Sequence, residues 1–393
     1  MLTSLALIFL IGITLGWIFE KLKLPRLIGM LFTGVVLGPF VLNLLDPSIL
    51  GISPDLRQLA LIVILTKAGL SLDISDLARV GRPAVLMSFV PAVFEILAVV
   101  LVAPPLLGIS YIDAAIMGSV LGAVSPAVVV PKMVTLMEHG YGTKKSIPQM
   151  ILAGASLDDV FVIVLFTAFV GLEGGGTLSA FSFAQIPVSI ILGLALGLLT
   201  GLILALIFKK HHMRDSAKVL IMLGTSFLLV AAEQWLDGIV PVSGLLAVMS
   251  MAIAIQRRCP VAAARLSLKF GKLWVAAEVI LFVLVGAAVD IRYAADAGGA
   301  VVAVILLALI VRSVGVLVCL IRTPLNFKER AFCVISYLPK ATVQAAIGSV
   351  PLALGLGCGQ IVLTAAVMSI IITAPLGAFG MDISYKHLLT RDK

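Results

Sequence analysis

The sequence predicts an all-α polytopic membrane protein of about thirteen transmembrane helices, built as an inverted repeat of six spans with two broken, crossing helices. Three observations carry this reading. First, 61% of the residues are hydrophobic and 12% charged, with a mean hydropathy of +1.20, whereas soluble domains are about 25% charged. Second, the basic residues collect in alternate loops. Third, motifs of the first half recur in the second after an odd number of spans. The apolar runs are continuous rather than alternating, which excludes a transmembrane β-barrel. The net charge of +8 lies between apolar runs and reads as membrane topology, not as nucleic-acid binding.

Runs long enough to cross about 30 Å of hydrocarbon fall near residues 2–20, 26–45, 57–72, 83–107, 111–133, 147–172, 183–208, 217–235, 241–256, 273–291, 298–321, 331–355 and 359–382. The third and ninth are short. The first opens at Met1 without a basic n-region or cleavage site, so it reads as a span and not as a signal peptide. The tail from about Ser384 to Lys393 is too short for a soluble regulatory domain. Cys259, Cys319, Cys333 and Cys358 show no metal-ligand spacing and read as small packing residues.

Loop charge orients these spans. One set of alternate loops holds about 22 cations, among them Arg79, Arg82, Lys209, Lys210, Arg257 and Arg258, while the other set holds only Arg57 and Arg292. The positive-inside rule then places the N-terminus outside and the C-terminus in the cytoplasm, which requires an odd number of spans. Cell (inner) membrane localisation is expected. His139, His211 and His212 fall in cytoplasmic loops of this arrangement and read as solvated.

The repeat is visible in Lys67-Ala68-Gly69-Leu70-Ser71-Leu72-Asp73-Ile74, which is echoed by Leu284-Val285-Gly286-Ala287-Ala288-Val289-Asp290-Ile291 about 217 residues later. Glu20, Pro25 and Gly29 are echoed by Glu233, Pro241 and Gly244, and Ser125-Pro126 by Pro339-Lys340. The offset is seven spans, an odd number, so the copies run in opposite directions through the membrane. Spans 1–6 and 8–13 are the copies, and 183–208 is the connecting helix.

The most informative stretch is Gly154-Ala155-Ser156-Leu157-Asp158-Asp159 in the middle of the sixth run. A charged carboxylate at the bilayer centre costs roughly 2.5 kcal/mol or more. Neighbouring residues on a helix point about 100° apart. One carboxylate can therefore face a cavity while the other faces a neighbouring helix, and the pair reads as a site for a cation and a proton. Pro126 and Pro339 interrupt equivalent spans, and matched broken helices are the strongest sequence pointer to a transport site. Freed carbonyls there are expected to coordinate a cation, and Lys340 to neutralise the two helix C-termini at the crossing. Glu95 and Arg312 lie in the middle of repeat-partner spans. Arg312 is permanently charged and needs a carboxylate, either Glu95 or Asp158. If it takes Glu95, both aspartates stay free. Glu278 lies one to two turns inside its span and is a candidate lining residue of an entry funnel. Lys132 reads as an interfacial anchor, and Glu233 and Lys67 as snorkelling side chains at span ends.

Together, Leu24-Pro25-Arg26-Leu27-Ile28-Gly29 with Gly38-Pro39, Gly122-Ala123-Val124-Ser125-Pro126, Asp158-Asp159, Arg312-Ser313-Val314-Gly315 and Leu338-Pro339-Lys340-Ala341-Thr342-Val343-Gln344 resemble the monovalent cation–proton antiporter superfamily, and within it the NHA-type sodium/proton antiporters. The resemblance implies a homodimer in the lipid bilayer. It also implies one transporter domain over 1–393, with dimer helices in 1–80 and 217–295 and an ion-carrying core in 83–172 and 298–383 that moves like an elevator. Asp159 would be the principal ion- and proton-carrying carboxylate and Asp158 its neighbour, with Ser125 and Thr342 near the crossing. The implied activity is Na+ or Li+ exchange for H+, with those ions as cargo and no cofactor. Many relatives carry a lysine at the position of Arg312. An arginine cannot release its proton, which favours electroneutral exchange. A K+/H+ antiporter on the same fold stays open. An intramembrane aspartyl protease is remote, because its two carboxyls must come from two helices. No Gly-rich phosphate loop ending in Gly-Lys-Ser/Thr is present, so no nucleotide is expected and an ion gradient would drive transport; the implied protein is a transporter, not an enzyme.

Overall fold

Prolines, glycines and capping side chains set the limits of the helices. The computed structural model describes residues 1–71, 81–174, 180–211, 213–236 and 240–391. Asp73, Ile74, Arg79 and His212 lie outside them. Among the described residues there is no strand, and the one isolated β-bridge recorded joins Tyr141 to Arg391.

Helices α1 (Leu2–Lys21) and α2 (Arg26–Leu37) pack against each other. The predicted run over 26–45 is helical only to Leu37. Gly38 turns extended (ψ 174°) and Pro39 has no N–H to continue the helix. Asp46 caps α3 (Pro47–Gly51) by accepting the Ser48 N–H at 2.8 Å. Ser48, through its side chain first and its backbone N–H second, holds the Asp46 carboxyl below its ordinary range. Then come α4 (Ser53–Ser71), α5 (Arg82–Met87) and α6 (Val90–Leu107), which Gly108 ends in the left-handed region at φ 66°. Ser110 and Asp113 form a reciprocal capping box for α7 (Tyr111–Leu121). After a break, α8 (Pro126–Glu138) begins with proline at the position that needs no N–H.

The long helices α9 (Ile147–Gly174), α10 (Ala180–Lys210), α11 (Asp215–Trp235), α12 (Gly244–Arg258), α13 (Pro260–Ala287) and α14 (Ile291–Cys319) follow. A second capping box, Asn326 with Glu329, opens α15 (Phe327–Ser336). After another break come α16 (Thr342–Ile347), α17 (Val350–Ala353) and α18 (Gly359–Leu388). Each predicted apolar run therefore holds helix. Among the described residues, 9 helical stretches are long and apolar enough to cross a membrane, and Arg26–Leu37 and Thr342–Ala353 are shorter apolar pieces. The chain is a nearly all-helical, multi-pass membrane protein.

The chain forms two compact units. The first comprises Met1–Pro54, Ser75–Phe169 and Leu281–Lys393, the second Asp55–Ile74 and Val170–Ile280. In the first, α6 packs along α14 and α7, and α18 packs against α15, α14 and α7. In the second, α10 lies along α12. A Cβ at Gly193 would sit 2.6 Å from the Ser243 carbonyl oxygen, so glycine is what lets these backbones approach.

Candidate ion-binding site

The repeat-partner helices α6 and α14 bring Glu95 and Arg312 together inside the first unit. Arg312 Nη1 donates to Glu95 Oε2 at 2.7 Å and Nη2 to Asp158 Oδ2 at 3.2 Å. None of the three side chains is more than 1% exposed. The expectation that Arg312 would choose one carboxylate is therefore corrected: the planar guanidinium fork serves both at once. Asp158 is accordingly not free. Its Oδ2 also accepts the Val124 N–H at 2.7 Å.

The two breaks are joined directly, since Ser125 donates its N–H to the Pro339 carbonyl at 2.8 Å. Several of the groups left open at the breaks have protein partners. Lys340 Nζ and Gln344 Nε2 donate to the Leu121 carbonyl, Arg312 Nη1 to that of Gly122, and Gln344 Nε2 to that of Ala123 at 2.9 Å. Arg312 Nε takes the Tyr337 carbonyl at 2.9 Å. The Lys340 N–H goes to Thr373 Oγ1 at 2.9 Å, and that of Ala341 to Gln344 Oε1 at 2.8 Å. These carbonyls already accept protein donors, and one expectation changes as a result. Neutralisation of the two helix C-termini is divided: Lys340 serves the end of α7, while Arg312 serves both α7 and α15.

Lys340 also pairs with Glu95, its Nζ lying 2.7 Å from Oε1. The buried cluster thus holds two carboxylates, Glu95 and Asp158, and two cations, Arg312 and Lys340. Asp159 is outside that balance. It is partly exposed where Asp158 is fully buried. Its Oδ1 has no hydrogen-bond partner among the described residues, nor do Asp158 Oδ1 and the Ser125 hydroxyl. Thr342 is buried at the start of α16, beside the crossing.

Other residues singled out by the sequence have settings of their own. Glu278 is buried, at 4% exposure, and belongs to the second unit. Lys132, expected as an anchor, pairs with Asp382 at 2.6 Å and ties α8 to α18. Glu233 accepts the Gly244 N–H at 3.0 Å, which makes it a helix-end ligand rather than a snorkelling group. Three residues of the cluster had no assigned role in the sequence reading: Tyr337, Gln344 and Thr373. Gln344 has a detectable signal, an amide three residues after a break in an apolar run. The other two have none. The Lys145–Glu329 pair at 2.8 Å, with Glu329 1% exposed, was equally unforeseen.

Residues 5–381 match the family model described as sodium/hydrogen exchanger, transmembrane. The chain is 31% identical over 415 residues to mouse sodium/hydrogen exchanger 9B2, covering 100% of this chain and 74% of that protein. With the human 9B2 protein it shares 32% over 383 residues, covering 94% and 70% respectively. Among solved structures it superposes on the sodium proton antiporter MjNhaP1 from Methanocaldococcus jannaschii at pH 8, with a TM-score of 0.85, 21% identity and 98% of each chain covered. That likeness is one of fold.

Proposed function

The chain belongs to the sodium/hydrogen exchanger family, and from that premise we propose that it is a secondary active antiporter exchanging Na+ or Li+ for H+ at Asp159. The observation that carries this reading is the charge balance. Glu95 and Asp158 are neutralised by Arg312 and Lys340 within hydrogen-bond or ion-pair distance. Asp159 is the carboxylate left over, and its Oδ1 has no partner among the described residues. An uncompensated carboxylate within a membrane costs roughly 2.5 kcal/mol or more, so it is stable only with a proton or a cation bound. The two cargoes compete for one group, and this competition couples their fluxes. The core would move readily only when Asp159 is occupied, and the movement would be elevator-like between the two sides of the membrane.

Asp158 fixes the local frame rather than carrying the cargo alone. Ser125, with its unpartnered hydroxyl, and Thr342 are proposed to complete the cation's oxygen ligands. Arg312 keeps its proton throughout, and Lys340 stays paired with Glu95. Charge movement per cycle is then one cation against one proton. A homodimer in the cell membrane, with dimer helices in 1–80 and 217–295 and the C-terminus cytoplasmic, is part of the same proposal. The relatives are exchangers rather than enzymes, and Asp158 and Asp159 sit on one helix, so protease chemistry is set aside.

The test is proton flux in sealed proteoliposomes on addition of Na+, Li+ or K+, with wild type and Asp159→Asn side by side. The proposal expects Na+ or Li+ to dissipate an imposed pH gradient in wild type only. A response to K+ alone would overturn the choice of cargo. Transport by Asp159→Asn at the wild-type rate would overturn the site.

A further inference from the structure

Tyr337 stands at the junction of the ion site and has no role in the exchange described above. It is fully buried at the end of α15, directly before the break. Its carbonyl takes the Arg312 Nε–H at 2.9 Å. Its ring faces the guanidinium, with Arg312 Cζ 5.6 Å from the ring centroid. Its hydroxyl is buried and has no hydrogen-bond partner among the described residues. That hydroxyl occupies the space over Gly154 where any Cβ would project. Gly154 is four residues before Asp158, so both lie on one face of α9, about 6 Å apart along its axis. Asp158 Oδ1 is the second buried atom without a partner there, while its Oδ2 is fully engaged.

Two buried polar atoms without partners, one lying over Gly154 and the other on Asp158 one turn further along α9, fit the usual reason for a bound water. A water hydrogen-bonded to both spans about 5.5 Å, close to the rise between Gly154 and Asp158. We propose that Tyr337 is a positioning residue of the ion site: its ring and carbonyl set the Arg312 guanidinium, and its hydroxyl and Asp158 Oδ1 share a buried water. The hydroxyl then determines the rotation of the Asp158 carboxylate, and with it the shape of the cation site that Asp158 borders. This function for the residue rests on the antiport reading; the water itself does not.

Two experiments on the full-length protein separate them. Tyr337→Phe keeps the ring and the carbonyl and removes only the hydroxyl. It is expected to raise the Na+ concentration for half-maximal proton flux at least threefold while the maximal rate stays within about twofold. Tyr337→Leu, which also removes the ring, is expected to lower the maximal rate as well. A Tyr337→Phe variant with wild-type half-maximal Na+ overturns the positioning role. Density for the wild-type protein at a resolution that shows ordered water is expected to contain one between the hydroxyl and Asp158 Oδ1, and none in Tyr337→Phe. A dry gap in wild type overturns the water. If wild type moves no protons with any cation, the antiport reading and the positioning role fall together, and the density still decides the water.

Discussion

Arg312 Nη2 lies 3.2 Å from Asp158 Oδ2 in a region where neither side chain is more than 1% exposed. The contact makes neighbours unequal: Asp158 is bound into a neutral cluster with Glu95 and Lys340, and Asp159 is not. In the proposed exchange this difference gives the two residues different parts, since the carboxylate without a fixed partner is the one that would trade a proton for a cation.

The two aspartates should therefore fail differently. Asp158→Asn breaks a buried ion pair and is expected to destabilise the protein by about 3–5 kcal/mol, less whatever the retained Val124 hydrogen bond preserves. Asp159→Asn removes an uncompensated charge and should leave stability unchanged or slightly raised while abolishing exchange. Thermal unfolding of both purified variants in one detergent, alongside flux, checks the contrast. Equal losses of stability would contradict it.

Glu95 serves two cations, with Arg312 and Lys340 both at 2.7 Å. Glu95→Gln and Lys340→Met should each cost several kcal/mol, since each leaves a buried charge unmatched. The double variant restores the balance and should cost less than the sum by about 1–3 kcal/mol. Additive losses in a thermal double-mutant cycle would mean that the two side chains do not share a charge.

Much of this cluster is legible in sequence as a set of anomalies: two adjacent aspartates, a lone glutamate, a lone arginine and two prolines, each inside an apolar run. Its connectivity is not. Arg312 is 217 residues from Glu95 and 154 from Asp158, and nothing along the chain says that one guanidinium reaches both carboxylates and the Gly122 and Tyr337 carbonyls as well. Tyr337 and Thr373 are unremarkable residues until the breaks fold next to them. Local punctuation is more direct: Gly38-Pro39 follows the last residue of α2. Hydropathy carried that same run on to residue 45, because it records apolarity and not the missing N–H of Pro39.

Gly154 has room for no side chain beneath the Tyr337 hydroxyl. Gly154→Ala should lower stability by about 1–3 kcal/mol through overpacking. Adding Tyr337→Phe, which removes the obstructing oxygen, should recover part of that loss. No recovery in thermal unfolding would contradict the contact.

Exposed and buried ion pairs elsewhere should differ in weight. Lys132→Ala breaks a pair whose partners are 35% and 51% exposed and should cost no more than about 1 kcal/mol, with the effect shrinking in high salt. Glu329→Ala removes a nearly buried carboxylate that both caps α15 and holds Lys145. A loss of about 2–3 kcal/mol is expected. Chemical unfolding at low and high salt distinguishes the two.

Arg312 cannot donate a proton to the cycle, so exchange should be electroneutral. Clamping the membrane potential of proteoliposomes with K+ and valinomycin should leave the rate of Na+-driven proton movement unchanged. A rate that follows the imposed potential would show that net charge crosses.

The most direct test of Asp159 as the exchanging carboxylate is proton release on cation binding, measured in weakly buffered detergent solution near neutral pH. Na+ added to the wild-type protein should release up to about one proton per cation bound, and Na+ added to Asp159→Asn should release none. Undiminished release from Asp159→Asn would contradict the account and move the exchange to another group in the cluster.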